Sequence, residues 1–365
     1  MKKREYWIWL SSVEGMYYGK IKRLLNCFIT PEGIYNATEE QLIKKAGIRE
    51  EEALKIIKSK AYFDIEKYLK NLKELNIKLI TVEDKEYPEK LKPYDHRPYY
   101  LFYKGQLPHS HLPTVSMVGA RACSDYGRKI ARNMSRELSM RGVQIISGMA
   151  RGIDTYSGLG ALEGGMPAFA VLGCGVDICY PAENIELYNE ICKKGGVISE
   201  YPPGTKPLAW HFPQRNRIIS GLSDKVVVVE AKEKSGSLIT VEWALEQGRD
   251  VMAVPGRIGE SLSTGCNCLI KSGAGIITST EDILEGFFEE LKYVVFSGEN
   301  YVDIEEKPLE KDLTLVYSEL SLRSKSIYEL IENTGLEYGV LTGILLQLQL
   351  KGLVEQPIEN YYRVI

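Results

Sequence analysis

The sequence lacks the long apolar run that a membrane-spanning helix requires. Its uninterrupted apolar stretches fall well short of the roughly 18–20 residues needed to cross a bilayer. The N-terminal stretch MKKREYWIWLSSVEG has a basic start, but its apolar part is too short for the core of a signal peptide. The 7 cysteines are scattered and form no CxxC pair, which favours free, reduced thiols. We therefore expect a cytoplasmic protein without a membrane partner.

The motifs of several enzyme classes are missing as well. The chain contains no G-x-G-x-x-G turn, no G-x-x-x-x-G-K-[ST] loop, no H-E-x-x-H and no G-x-S-x-G. It has only 4 histidines, and the pair His109 and His111 lies in the loop LPHSHLP with no second ligand pair after it. We expect neither a metal nor a cofactor, and we expect a protein that is not an enzyme.

The chain also lacks an excess of positive charge. With 46 Lys and Arg against 49 Asp and Glu, its net charge is −3, so the whole molecule does not attract a polyanion. Cations are concentrated locally instead: HFPQRNRIISGLSD, residues 211–224, places two arginines around an asparagine just before the apolar run KVVVVEA. We expect these three residues to lie in the loop before that strand. Unpaired buried charge is costly, so this cluster predicts an anionic ligand rather than a core.

Four segments are predicted from the pattern along the chain. Residues 1–75 carry apolar residues at helical spacing, with Thr38 and Gln41 as a capping box and Gly47 as a helix end. Residues 76–287 form the main domain, and the polar, aperiodic residues 288–312 a linker. Residues 313–365 read as helix, helix, turn, helix and hairpin, which is the pattern of a winged helix.

Within the main domain, short β-branched runs alternate with helical segments from residue 113 onward. The runs include PTVSMVG, VQIISG, PAFAVLG, KVVVVEA and DVMAVPG. Continuous apolar strands separated by helices are typical of a parallel sheet covered on both faces. The sequence therefore predicts an α/β fold with a Rossmann-like doubly wound, mostly parallel sheet.

Glycines and cations recur where these predicted strands end. Because ligands bind beyond the carboxyl ends of the strands in such sheets, we expect these residues to form one site. Backbone N–H groups at glycines, arginine forks and aromatic rings together suit the phosphates and bases of a single nucleic-acid strand. The predicted site residues are Gly119, Arg121, Arg151, Lys206, Phe212, Arg215, Asn216, Arg217, Lys234, Ser235 and Gly236.

Each of these arginines has a second interpretation. Acidic residues lie in the same loops, and ion pairs between loops would tie the sheet edge together without a ligand. The amide of Asn216 is equally suited to bonding loop backbone. The acids concerned are Asp154, Asp177, Glu200 and Glu230.

Seven motifs keep the order and spacing of a known family. They are VGARACSDYG, SGMARGID, LGCGVDICYPAEN, SEYPPGT, HFPQRNRIISGLSD, VVVVEAKEKSGSLITVEWALEQGRDVMAVPG and GCNCLIKSGA. From about residue 77 to 282 the chain thus resembles the DNA-processing protein A family, also called DprA or Smf. The N-terminal helices more loosely resemble a SAM-like or helix-hairpin-helix module.

The resemblance implies a homodimer that binds single-stranded DNA. It further implies that the protein hands the strand to the recombinase RecA, past single-strand-binding protein, in natural transformation. The matching positions are Gly119, Arg121, Phe212, Arg215, Asn216, Arg217 and Lys234. Arg151 and Lys206 are predicted from the sheet edge alone.

Two other functions remain open from the sequence. Phosphoribohydrolase-like enzymes that act on nucleotide derivatives have a similar sheet with a PGGxGTxxE segment; the equivalent KEKSGSLITVE lacks the double glycine, although Glu242 falls where an acid is needed. A duplex-reading transcription factor is the second. Residues 310–365 oppose it with 5 basic and 8 acidic residues, because DNA-reading helices normally carry several donors.

Overall fold

The chain divides into two compact units, Met1–Val302 and Asp303–Ile365. This is a computed structural model, and it describes residues 1–287, 291, 296–297, 300–301, 311–320, 324–350, 353–358 and 360–364. Most of the predicted linker 288–312 lies outside the described residues.

Six helices occupy the first 75 residues. Thr38 accepts from the backbone N–H of Gln41 in the predicted capping box, and Gly47 ends that helix in the left-handed conformation, with φ 60°. The apolar faces of the helices meet around Trp9, Leu24 and Leu42, all fully buried. The helices are α1 (Lys3–Ser12), α2 (Tyr18–Phe28), α3 (Pro31–Asn36), α4 (Glu39–Ala46), α5 (Glu50–Tyr62) and α6 (Ile65–Glu74).

A nine-stranded sheet follows in the described part of the first unit. Its strands are β1 (Lys78–Thr81), β2 (Tyr100–Gly105), β3 (Thr114–Val118), β4 (Gln144–Ser147), β5 (Ala168–Val171), β6 (Gly196–Ser199), β7 (Lys225–Val228), β8 (Asp250–Ala253) and β9 (Gly275–Ile276). Their spatial order is β1-β2-β6-β5-β4-β3-β7-β8-β9. The strands β3 to β9 pair in parallel, and β1 and β2 add an antiparallel edge. The prediction of a large, mostly parallel sheet is confirmed.

The hairpin of β1 and β2 was not predicted, because the predicted alternation of strands and helices begins only at residue 113. Its register aligns Lys78 with Tyr103 and Thr81 with Tyr100. The alternation of apolar residues that marks a strand is interrupted here by charged and proline residues, NIKLITVEDKEYPEKLKP.

Helices cover both faces of the sheet. Along β7, Val226 and Val228 pack on one face and Val227 on the other, and all three are fully buried. Burial on both faces explains why the strands read as continuous apolar runs. The covering helices are α7 (Asp125–Met140), α8 (Ile153–Gly164), α9 (Ile185–Lys194), α10 (His211–Gly221), α11 (Leu238–Glu246), α12 (Thr264–Lys271) and α13 (Thr280–Leu284).

The strand order reverses between β3 and β7. From β3 the chain proceeds through β4, β5 and β6 on one side, and then crosses to β7, β8 and β9 on the other. At such a switch point the loops after neighbouring strands leave in opposite directions and open a crevice at the carboxyl edge.

The second unit contains three helices and a three-stranded sheet among its described residues. Its elements are α14 (Lys311–Glu319), β12 (Lys325–Ser326), α15 (Ile327–Thr334), α16 (Tyr338–Leu350), β13 (Val354–Ile358) and β14 (Tyr361–Val364); the sheet order is β12-β14-β13. Its core includes Val316, Leu330 and Leu341. The short strands β10 (Phe296–Ser297) and β11 (Asn300–Tyr301) precede it. Over the described parts of both units, no helix combines the length and apolarity needed to cross a membrane.

Candidate functional site

A cavity of 420 Å³ lies at the switch point, between the loops that follow β3, β4 and β7. One wall is helix α10, and the opposite wall is the start of α11. The side chains and backbone that line it include Gly119, Arg121, Asp154, Phe212, Arg215, Asn216, Lys232, Lys234, Ser235, Gly236 and Ser237. Most of the predicted site residues therefore meet in one place.

Helix α10 determines which residues of the HFPQRNR segment face this cavity. The segment was predicted to be a loop, and that prediction is wrong, because it forms the first two turns of α10. Successive residues on a helix are about 100° apart, so residues three and four apart share a face. Phe212, Arg215, Asn216 and Ile219 accordingly line the cavity together.

Arg217 points away from this face and does not line the cavity. Its guanidinium donates to both carboxylate oxygens of Glu200, at 2.9 and 2.6 Å, and both side chains are almost completely buried. Its charged group also lies 4.7 Å from the ring centre of Tyr18. The structure thus corrects the placement of Arg217: it joins the N-terminal helices, α10 and the end of β6.

Arg215 lies beneath the cavity floor rather than at its mouth. The side chain is 4% exposed and donates to the carbonyl oxygen of Val171, while its Nε has no partner among the described residues. A Cβ at position 148 would collide with the Arg215 guanidinium, so Gly148 leaves the space that this group occupies. Burial lowers the pKa of Arg215, and the nearby Asp154 opposes that shift.

Asp154 is the acid that accompanies this buried arginine. One of its carboxylate oxygens accepts the backbone N–H of Gly148 at 3.0 Å and that of Ala150 at 3.4 Å. Burial raises the pKa of Asp154 to about 6, although Arg215 and the backbone N–H groups act in the opposite direction. The floor of the cavity therefore holds one acidic group, Asp154, and one basic group, Arg215, whose opposite charges partly offset each other.

Arg121 and Phe212 form the more open part of the site. The guanidinium of Arg121 is exposed and lies 5.6 Å from the ring centre of Phe212. The ring of Tyr180 lies on Phe212 at 5.4 Å, and 41% of Tyr180 is exposed. A Cβ at Gly173 would come within 2.9 Å of the Phe212 ring, so glycine leaves the room that this ring needs.

The loop after β7 supplies further cations and backbone donors. Lys232 and Lys234 are exposed and make no ion pair with the residues that the structure describes. The side-chain amide of Asn216 donates to the carbonyl of Gly236 at 3.3 Å, which fixes this loop on α10. Ser235 and Ser237 share a hydrogen bond of 2.8 Å just before α11, and the backbone N–H groups of Leu238 and Thr240 donate to the carbonyls of Ser235 and Ser237.

Besides Arg217, two more predicted residues lie apart from the main cavity. Arg151 lines a small adjoining recess with Tyr180, and its guanidinium is held by Glu183 at 2.6 and 2.9 Å. Both side chains of that pair are more than half exposed, so it contributes little to stability. Lys206 is exposed in the loop before α10 and does not line the cavity.

Three residues that line the cavity or its adjoining recess were not among the predicted site residues. Tyr180 follows β5, Lys232 follows β7, and Asp154 was considered only as a possible ion-pair partner. The signal for Tyr180 was its position in the loop at the carboxyl end of a predicted strand. Glu242 is exposed on α11 and does not line the cavity. Among the described residues, no group of three or more His, Cys, Asp or Glu is arranged to hold a metal ion.

Comparison with known proteins gives a consistent result. A family model for DNA recombination-mediator protein A matches residues 78–288. The chain is 47% identical over 207 residues to DNA processing protein DprA of Streptococcus pneumoniae, covering 57% of this chain and 73% of that protein. It is 34% identical over 369 residues to protein Smf of Escherichia coli, covering 100% of this chain and 96% of that protein.

Two solved structures have the same fold. The X-ray structure of DprA from Streptococcus pneumoniae superposes with a TM-score of 0.67 and 37% identity, covering 78% of this chain and 99% of that one. A structure of DNA processing protein A from Helicobacter pylori, described by its single-stranded DNA binding mode, superposes with a TM-score of 0.53 and 27% identity, covering 59% of this chain and 98% of that one.

Proposed function

The chain belongs to the DNA recombination-mediator protein A family, and we propose that its cavity at the sheet edge binds single-stranded DNA. The observation that carries the proposal is that Arg121, Lys232 and Lys234 line the same cavity as Phe212, are exposed, and form no ion pair with the described residues. The single-stranded DNA binding mode described for the Helicobacter pylori relative supports it.

The chemistry of the cavity favours an unpaired strand over a duplex. The exposed cations suit phosphate oxygens, while Phe212 and Tyr180 offer ring surface to a base that is not stacked in a duplex. Phosphate contacts and stacking carry little sequence information, so binding is largely independent of base sequence. The contacts that we assign to the strand are Gly119, Arg121, Phe212, Asn216, Lys234, Ser235 and Gly236, with Arg215 supporting the floor and Arg151 and Lys206 outside the cavity.

We propose a cytoplasmic binding protein rather than an enzyme. The family's description as a recombination mediator supports transfer of the strand to a recombinase, for which RecA is the candidate, with single-strand-binding protein as a competitor. A homodimer and a role in natural transformation belong to the same proposal. Glu242, the residue on which a phosphoribohydrolase-like activity depended, lies outside the cavity lining, so we do not favour that alternative.

We further propose the domain plan 1–75, 76–287 and 313–365, joined by the linker 288–312. The order of α14 to α16 and the β13–β14 hairpin supports a winged helix in the last of these domains. Helix α16 carries no Lys or Arg, which supports a protein partner rather than duplex reading.

The proposal is tested by replacing Arg121. We expect Arg121→Ala to weaken binding to an oligothymidine and to reduce the slope of log affinity against log salt by about 0.7, the value for one lost phosphate contact on a single strand. The measurement is fluorescence anisotropy over a series of salt concentrations.

Arg141→Ala is the matched control, because Arg141 is an exposed arginine that follows α7, lies near the start of β4 rather than its carboxyl end, and does not line the cavity. Equal affinities and salt slopes for the two folded variants would contradict the site, and a preference for duplex over single strand would contradict the function.

A further inference from the structure

Trp210, immediately before α10, is the tryptophan most accessible to a ligand. It is 45% exposed, whereas Trp7 and Trp9 are buried and Trp243 is partly buried. A large aromatic side chain that is merely part of a core is normally covered. Trp210 therefore presents ring surface that a ligand can cover.

The buried side of Trp210 is held by other rings. Its ring centre lies 5.1 Å from that of Tyr17 and 4.0 Å from that of His211, both in edge-to-face geometry. Behind them, Tyr201 stacks on His211 at 4.0 Å and is fully buried. This support orders the indole ring while leaving nearly half of its surface open, which reduces the entropy lost when a base stacks on it.

Trp210 is also close to the proposed strand site. It stands two residues before Phe212, so their Cα atoms are at most about 7 Å apart. Ala209, between the loop and the helix, lines the cavity itself. The loop before it exposes Lys206 and Leu208, and Lys206 makes no ion pair with the described residues.

We infer that Trp210 is a second stacking platform, on which the base next to the one at Phe212 rests as the strand leaves the cavity toward the N-terminal helices. Lys206 then meets a phosphate of this outer nucleotide. The inference rests on the proposed function. It gives Lys206, which the structure places outside the cavity, a contact on the same strand.

The first test uses tryptophan fluorescence. Adding oligothymidine to the full chain is expected to quench its fluorescence, because the exposed indole stacks on a base. Trp243→Phe should retain the quenching, and Trp210→Phe should lose it while still binding the oligonucleotide. Quenching that persists in Trp210→Phe overturns the inference.

The second test separates stacking from packing. Trp210→Leu keeps apolar contact with Tyr17 but offers no ring, and its affinity for oligothymidine should fall at least about fivefold, with Trp210→Phe falling less. Thermal unfolding identifies any loss of structure. A series of oligonucleotides then carries a single abasic site at each position in turn. At one position the abasic site should lower the affinity of the original protein but should not lower the affinity of Trp210→Leu any further.

These experiments distinguish a failure of the proposed function from a failure of the role of Trp210. If the unmodified chain does not bind oligothymidine even at low salt, the proposed function is wrong and the inference falls with it. If the chain binds, and Arg121→Ala weakens binding, but folded Trp210→Leu matches the original at every abasic position, then only the role of Trp210 is wrong.

Discussion

The cavity differs from a simple anion site because its lining includes the carboxylate of Asp154. The acid lies on the cavity floor beside Arg215 and within the same lining as Arg121. A phosphate that enters meets a carboxylate as well as guanidinium groups, so the ionisation of Asp154 affects how strongly a strand is held. The residue contributes to the affinity through its charge, and through the backbone N–H groups that it fixes.

We expect the affinity for single-stranded DNA to rise as the pH falls from about 7.5 to about 5.5. Burial raises the pKa of Asp154 from 3.8 to about 6, and bound phosphates raise it further, so binding takes up a proton. The same shift affects the free energy of unfolding, because the folded protein holds this proton more tightly than the unfolded chain does. Ionised Asp154 therefore destabilises the folded protein above about pH 6, and this destabilisation disappears as the pH falls toward 3.8.

Titrations of binding against pH check this expectation, with Asp154→Asn as the comparison. In that variant the increase in affinity between the two pH values should be much smaller. An equal increase in both proteins would assign the effect to other groups, such as histidines.

At the scale of elements, helix α10 explains both what was predictable and what was not. The alternation of apolar strands and helices was sufficient to predict the parallel sheet, and the glycines and cations at strand ends located the site. Treating Arg215, Asn216 and Arg217 as one loop cluster failed, because helical geometry turns adjacent residues to different sides. Glu200, which receives Arg217, precedes it by 17 residues, and no local pattern connects the two.

Arg217 is therefore expected to affect stability rather than DNA contact. Arg217→Met leaves Glu200 buried without its partner and should lower the free energy of unfolding by about 3–5 kcal/mol. Adding Glu200→Met should recover much of that loss, since a buried ion pair can be replaced by apolar groups.

Chemical denaturation of the two variants measures this effect. Oligonucleotide affinity, measured where each variant is folded, should stay near that of the original protein, in contrast to Arg121→Ala. If Arg217→Met were stable but bound the oligonucleotide more weakly and with a smaller dependence on salt, Arg217 would be a DNA contact rather than a structural residue.

At the scale of the whole molecule, the two units differ in the basic side chains that they offer to a polyanion. The cations around the cavity all belong to Met1–Val302. In the second unit, the 56 residues 310–365 carry 5 basic and 8 acidic side chains. The described surface of α16 instead exposes Tyr338, Val340 and Leu346. Composition alone predicted this contrast, although the partner of the second unit was not predictable from it.

A chain ended after residue 302 is expected to bind oligothymidine with the affinity and salt slope of the full chain, because it keeps the whole cavity. Anisotropy titrations of both proteins under identical conditions test this. A large loss of affinity in the shortened chain, with its fold intact by circular dichroism, would assign part of the strand contact to the second unit.

The reversal of strand order between β3 and β7 has a consequence for synthesis and for protein engineering. The segments that meet at the cavity are far apart in the chain, from Val118 to Leu262, and they come together only once β7 has paired with β3. A ribosome-bound chain of which β7 has not yet emerged lacks the complete cavity and therefore should not bind DNA there. Conversely, two fragments of the chain that are divided between β6 and α10 should bind DNA only after they reassemble. Binding of an oligonucleotide would therefore report the complementation of the two fragments.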